Sequence, residues 1–163
     1  QLEYESNYKD GKKDGEWLYY YDNGQLEIKV NYKDGKEEGE GLQYSENGQL
    51  KYKSNWKDGK KEGEVLFTYY ENGQLKYKEY YKNGKLEGEW LYYESGQLEY
   101  ESNYKDGKKD GELLFYYENG QLEIKVNYKD DKKEGEQLEY SENGQLEVTG
   151  IYKDGELIET ITP

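Results

Sequence analysis

The chain lacks Cys, His, Met, Ala and Arg altogether, and has a single Pro among its 163 residues. Without Cys and His there is no disulfide, no thiolate or imidazole metal site, no haem ligation and no Ser-His-Asp or Cys-His nucleophilic chemistry. No apolar run approaches the roughly 20 residues that a membrane-spanning helix requires. Positive charge is also scarce: 23 Lys stand against 37 Asp+Glu, a formal net charge of −14. That balance repels phosphodiesters and anionic lipid, so neither nucleic acid nor membrane insertion is expected. The chain opens at Gln1 without an initiator Met, which reads as a mature or trimmed piece and leaves the compartment open.

What is abundant is Tyr, with 22 copies, and Gly, with 20. A chain with 32% hydrophobic and 37% charged residues leans towards disorder, but disordered chains are poor in aromatics and this one is 17% aromatic. The best helix former is missing, while Tyr, Val, Ile and Trp favour pleated surfaces. The composition predicts an ordered, all-β, unusually polar protein.

Self-similarity is strong. Asn-Gly-Gln-Leu occurs at Asn23–Leu26, Asn47–Leu50, Asn72–Leu75, Asn119–Leu122 and Asn143–Leu146, with a variant at Ser95–Leu98. The Gln residues at 1, 25, 49, 74, 97, 121 and 145 recur every 23 to 25 positions. In phase with them run aromatic-Lys-Asp/Asn-Gly steps such as Tyr8–Gly11, Tyr32–Gly35 and Trp56–Gly59, each followed by an acid-Gly-Glu step such as Asp14-Gly15-Glu16. The whole chain, residues 1–163, reads as one repeat domain: six full units and a C-terminal capping hairpin or strand at 145–163.

Each unit reads as two strands. The first alternates with period two, as in Leu26, Ile28, Val30 and Tyr32 against Glu27, Lys29 and Asn31; the second is short, as in Glu16–Tyr21. Asn-Gly and Asp-Gly pairs are expected to supply positive φ at the hairpin turns, with Asp131 replacing one turn Gly at a modest cost. The predicted fold is an elongated antiparallel β-meander, a single-sheet array with one hairpin per unit, forming a rod roughly 60 Å long at about 4.8 Å per strand. One residue too many near Thr68 predicts a β-bulge or altered turn there.

On the second strand, Leu18/Tyr20, Leu42/Tyr44, Leu91/Tyr93, Leu114/Tyr116 and Leu138/Tyr140 recur in phase. This set is expected to join the first-strand Leu and Tyr positions in a continuous structural spine. The opposite parity varies from Trp17/Tyr19/Tyr21 through Gly41/Gln43/Ser45, Val65/Phe67/Tyr69, Trp90/Tyr92 and Leu113/Phe115/Tyr117 to Gln137/Glu139/Ser141. Residues required for folding should recur in every unit, so this second face is expected to be free. Its candidate binding residues are Trp17, Tyr19, Tyr21, Phe67, Tyr69, Trp90, Tyr92, Phe115 and Tyr117, framed by charges at Glu3, Glu5, Lys51, Lys53, Lys76, Lys78, Glu99 and Glu101. The alternative is that these aromatics are cross-strand pairs that stiffen the sheet.

The acids carry no distinctive constellation. Asp10, Asp14 and Glu16 bracket a turn as calcium ligands would, but Lys12 and Lys13 sit among them and no Asp-x-Asp-x-Asp loop exists. Solvated turn charge accounts for them better. A glycosidase needs one unrepeated acid pair in a cleft, and this array offers the same acids in every unit. No enzyme, metal or cofactor is expected.

These residues resemble the MORN-variant repeat, a bacterial relative of the MORN repeat, whose unit reads Asn-Gly-x-Leu, then Tyr-x-x-Gly-Lys-x-x-Gly-x-Trp and a Tyr-rich stretch. Trp17 and Trp90 stand at the repeat's Trp position, where Gly41, Val65, Leu113 and Gln137 replace it in other units. The resemblance implies a sheet of hairpins without catalytic residues, in a family that includes YwqK-type antitoxins and bacterial surface or secreted proteins. The expected function is a non-enzymatic scaffold that binds a basic protein through the aromatic face, antitoxin-like in one version. The alternatives are a structural spacer or surface stalk without a specific ligand, and a carbohydrate-binding surface. The bare strand at Gln1 predicts further repeats upstream or self-association at that edge.

Overall fold

A computed structural model describes residues 3–68 and 73–162 of the chain. The described residues form strands and turns without a helix, and the strands follow one another in an open, antiparallel β-meander. The fold class expected from composition and repeat is the one found. Two compact units, Gln1–Lys85 and Leu86–Pro163, divide the chain. In the first, Gly15–Tyr20, Leu26–Lys33, Lys36–Tyr44, Leu50–Lys57, Gly63–Thr68 and Leu75–Lys82 lie side by side, with Tyr4–Glu5 beside Gly15–Tyr20. In the second the order is Gln97–Lys105, Lys108–Tyr116, Leu122–Lys129, Lys132–Tyr140, Leu146–Lys153 and Glu156–Ile161.

Two kinds of turn alternate. At Asp34-Gly35 both residues have positive φ, 50° and 85°, the left-handed pair that matches the twist of the flanking strands. At Asn23-Gly24 only the glycine does, which corrects the expectation for the Asn. Asn23 works instead through its side chain, whose Oδ1 accepts the Gln25 N–H at 2.9 Å. Asp131 does take the left-handed conformation, φ 68°. Its Oδ1 accepts the Lys109 N–H at 2.8 Å, which offsets part of the backbone cost.

Bulges set the register. Tyr20 faces Leu26, but Tyr19 faces Ile28, leaving Glu27 as an extra residue. The same shift leaves Lys51, Lys76, Glu99, Glu123 and Glu147 extra in other hairpins. The bulge expected near Thr68 is therefore general, while that unit's additional residue lies between Thr68 and Leu75, a stretch mostly outside the described residues. A second bulge explains the acid-Gly-Glu step. Val30 faces Gly41 whereas Tyr32 faces Glu37, so Glu38, Gly39 and Glu40 stand against Asn31 alone. Gly39 makes this possible with φ 78°.

These bulges overturn the expected spine. Only at the turn does Tyr20 meet Leu26; one bulge later Leu18 lies opposite Lys29 and Trp17 opposite Val30. Residues directly opposite on antiparallel strands share a face. The first-strand apolar residues Ile28 and Val30 therefore belong with Trp17 and Tyr19, the set expected to be free. Likewise Lys53, Lys78 and Glu101 lie opposite Leu42, Leu66 and Leu114, so these charges frame the leucine face and not the aromatic one. There Lys29 pairs with Glu16, Lys53 with Glu40, Lys78 with Glu64 and Lys125 with Glu112. The pairs are solvent-exposed and worth at most about 1 kcal/mol each.

The core is a row one residue wide across the strands. In the first unit Trp17, Val30, Gly41 and Ser54 face one another in turn; in the second the row runs Ser102, Leu113, Val126, Gln137 and Gly150. Trp17, Ser54, Val65, Ser102, Leu113 and Val126 are all buried, Val65 completely. Side-chain sizes along the row compensate. A Cβ on Gly41 would meet Ser54 Oγ at 3.0 Å and Trp56 Nε1 at 3.2 Å, because the Trp56 ring occupies the space that a larger residue fills elsewhere. Tyr152 and Leu157 do the same over Gly150. A position can thus vary between units and still be core.

Candidate functional site

The repeated acids serve the turns. Asp14 Oδ2 accepts the N–H of Asp34 at 3.3 Å, Glu38 Oε2 that of Asp58 at 2.9 Å, and Glu62 Oε2 that of Asn83 at 2.7 Å. Glu87 does this for Asp106, and Glu134 for Asp154, both at 2.9 Å. The acid of one hairpin thus holds the turn of the next about 20 residues on, which is why it recurs. Replacing Glu62 with Ala is expected to cost about 1 kcal/mol in denaturant unfolding, the ordinary worth of one hydrogen bond. Faster hydrogen exchange should be confined to the Asn83 turn. Among the described residues no group of three or more acids is placed to hold a metal ion.

On the aromatic face, rings stack across strands. Trp17 meets Tyr8, Tyr32 and Tyr19 at 5.3, 5.6 and 6.3 Å between centroids. Phe67 lies between Tyr52 at 4.7 Å and Tyr77 at 5.9 Å, and Tyr100 between Trp90 at 5.0 Å and Phe115 at 4.8 Å. These separations suit edge-on and tilted ring pairs. Of the sequence-predicted residues, Trp17 is buried at 6% exposure and donates its indole N–H to Asn7 O at 3.1 Å. It is core and presents no surface of its own. Tyr19 and Phe67 in the first unit, and Trp90, Tyr92 and Phe115 in the second, lie on the aromatic face of their own unit and stay half-buried. Tyr21 and Tyr117 instead tie neighbouring hairpins together, each hydroxyl donating to a carbonyl of the next hairpin, Tyr44 O at 2.8 Å and Tyr140 O at 2.6 Å. Tyr69 lies outside the described residues.

Sequence reasoning missed the lysines that cover this face. Lys13 Nζ lies 4.0 Å from the Trp17 ring centroid and 4.6 Å from Tyr32. Lys61 lies 4.7 Å from Tyr81, Lys109 5.3 Å from Tyr128 and Lys133 4.6 Å from Tyr152. Ammonium groups at such distances are attracted to the ring faces. Their fixed place, two residues after the turn Gly or, for Lys133, after Asp131 in its stead, was a signal in the sequence. So were the three exceptions, Glu37, Leu86 and Leu157. Grooves open on the aromatic face in the hairpins of Glu37 and Leu86. One of about 250 Å³ is lined by Val30, Glu37, Gly41, Tyr52, Ser54 and Trp56 among others. The other, about 290 Å³, is lined by Trp90, Tyr92, Glu99, Tyr100, Tyr104 and Phe115.

Burial also moves titrations. Tyr81 is pushed up to about 12, first by burial and then by Glu79, whose carboxylate accepts a hydrogen bond from the phenol at 3.0 Å. Tyr21, Tyr104, Tyr116 and Tyr117 are raised by the same leading cause. A tyrosine raised above its unfolded value near 10 keeps its proton when folded and releases it when unfolded. The stability it contributes is complete below pH 10 and is lost as pH rises through about 12. Denaturant unfolding across this window should show that fall, and Tyr81→Phe should reduce it; tyrosinate absorbance of the native chain should lag that of the unfolded chain.

A motif model described as the MORN repeat variant matches seven stretches, residues 13–34, 37–58, 61–83, 76–92, 86–106, 109–130 and 133–154. No curated protein matches the chain. Six of the seven begin two residues after a turn and end at the next such turn, so each of the six spans the acid-Gly-Glu bulge and the hairpin beyond it, and the stretch 76–92 overlaps two of them. Covering most of the sequence, they show that the chain belongs to the MORN repeat variant family.

Proposed function

We propose that the chain is a non-enzymatic repeat scaffold that binds another protein through its aromatic face. MORN repeats are in general binding modules, and the observation that carries the reading for this chain is the row of half-buried rings. Phe67, Trp90 and Phe115 are held in cross-strand ring pairs yet keep part of their surface in solvent, as does Tyr92. Pre-ordered aromatic surface binds with little entropy loss, and such residues dominate interface energetics. With a net charge of −14, a basic partner gains in encounter rate. An antitoxin that captures a basic toxin is the narrower form of this proposal, and it rests on the family resemblance.

Calorimetry with a basic protein partner at two ionic strengths tests the reading. The informative variant is Tyr19→Gln with Tyr92→Gln, because Gln43 already occupies the corresponding place in the second hairpin, opposite Ile28 and Tyr52. Affinity is expected to fall at least tenfold in the variant and to weaken with salt in the parent chain. Unchanged affinity would remove the aromatic face from the interface. No binding at either ionic strength would favour a spacer without a ligand.

A further inference from the structure

Four lysines at one repeat position, Lys13, Lys61, Lys109 and Lys133, lay their ammonium groups over rings of the aromatic face. In each case one of those rings belongs to the aromatic residue that opens the next turn: Tyr32, Tyr81, Tyr128 and Tyr152. At the second hairpin both members change. The lysine is Glu37, and the aromatic at the next turn is Trp56, the only Trp at that position. Glu37 and Trp56 line the same groove of about 250 Å³, with Gly41 among its other lining residues. Lys29, which also borders the groove, is bonded to Glu16. Among the described residues no ammonium lies over Trp56, and no lysine pairs with the Glu37 carboxylate.

From this internal comparison we infer that the groove at Gly41, Trp56 and Glu37 receives a lysine side chain from a basic partner protein. It would stand where four other hairpins place their own lysine. The chemistry fits on three counts. Trp has the strongest ring quadrupole for a cation. The carboxylate reverses the charge of the residue it replaces, so it attracts where Lys61 or Lys109 would repel. The methylene stem of a lysine needs apolar walls, which Val30 and Tyr52 offer. This inference rests on the binding reading above and adds the partner group that one site takes.

The test uses the full chain, 15N-labelled, titrated with an acetylated and amidated pentalysine peptide, in parallel with calorimetry. Three indole N–H signals are available, and buried Trp17, already covered by Lys13, is the internal reference. The Trp56 signal is expected to move saturably while Trp17 stays still. In Glu37→Lys, which restores the pattern of the four lysine-bearing hairpins, the Trp56 response should weaken at least tenfold. Glu37→Leu, the side-chain type found at Leu86, separates loss of charge from altered folding, and should weaken it too. Measurable binding heat with an unmoved Trp56, or an equal response in Glu37→Lys, would overturn the groove assignment and leave the basic-partner reading standing. No binding heat at low salt would count against both.

Discussion

Replacing Trp17 with Ala is expected to cost about 3–5 kcal/mol, the range for removing a large buried ring. The ring is enclosed by Tyr8, Tyr19 and Tyr32, covered by Lys13, and hydrogen-bonded to Asn7 O. Its loss leaves a cavity and an acceptor without its indole donor. The consequence should be local as well as global. Tyr8–Lys9 and Lys12–Lys13 form a two-stranded ribbon of their own, and Tyr8 is otherwise 62% exposed. Trp17 ties this ribbon to the sheet together with the Asn7 amide, which donates to Glu16 O at 2.7 Å. Amides of residues 4–13 should lose protection in hydrogen exchange before the rest of the sheet does, as expected where each hairpin is supported by its neighbours. A Trp17→Ala chain with native stability and a protected ribbon would mean that the ring is a surface group.

The second large effect is a pair of substitutions that harm singly and rescue together. Gly41→Trp forces a Cβ to within 3.0 Å of Ser54 Oγ and 3.2 Å of Trp56 Nε1, and overpacking of this kind costs about 1–3 kcal/mol or more. Trp56→Tyr alone opens a gap above Gly41 and removes the 2.7 Å hydrogen bond from the indole to Ser54. Together the two changes recreate the arrangement of Trp17 with Tyr32 in the first hairpin. The double variant should therefore be more stable than the sum of the single losses by about 1 kcal/mol or more, a coupling that a double-mutant cycle reads directly. Simple additivity would show that the two positions do not share one space.

That coupling explains how far the sequence could be read. Period-two alternation in Leu26–Lys33, the turn pairs and the 24-residue spacing were enough for the meander, because strand pairing and turn chemistry are local properties. The faces were not legible by parity. A bulge at Glu27 and another at Gly39 each change which residues look across at one another, and a one-residue shift exchanges the faces of everything beyond it. The variation at Trp17, Gly41, Val65 and Leu113 suggested a free surface because each unit was weighed alone. Packing is shared between adjacent strands, so a small residue in one is filled by a large one in the next. The acids and the lysines at positions such as Glu62 and Lys61 were visible as motifs. Their partners, the turn some 20 residues on and the ring of the next hairpin, emerge only once the strands are in register.

The most direct measurement is a comparison of Leu113→Ala with Leu114→Ala. These neighbours carry the same side chain on one strand, and they point to opposite faces: Leu113 is 3% exposed in the buried row, and Leu114 is half-buried opposite Glu101 and Lys125. Denaturant unfolding should place the loss for Leu113→Ala at about 2–5 kcal/mol, with roughly 1 kcal/mol for Leu114→Ala, in proportion to its smaller burial. Equal losses, or a larger loss at Leu114, would contradict the assignment of the aromatic face as the one that holds the sheet together.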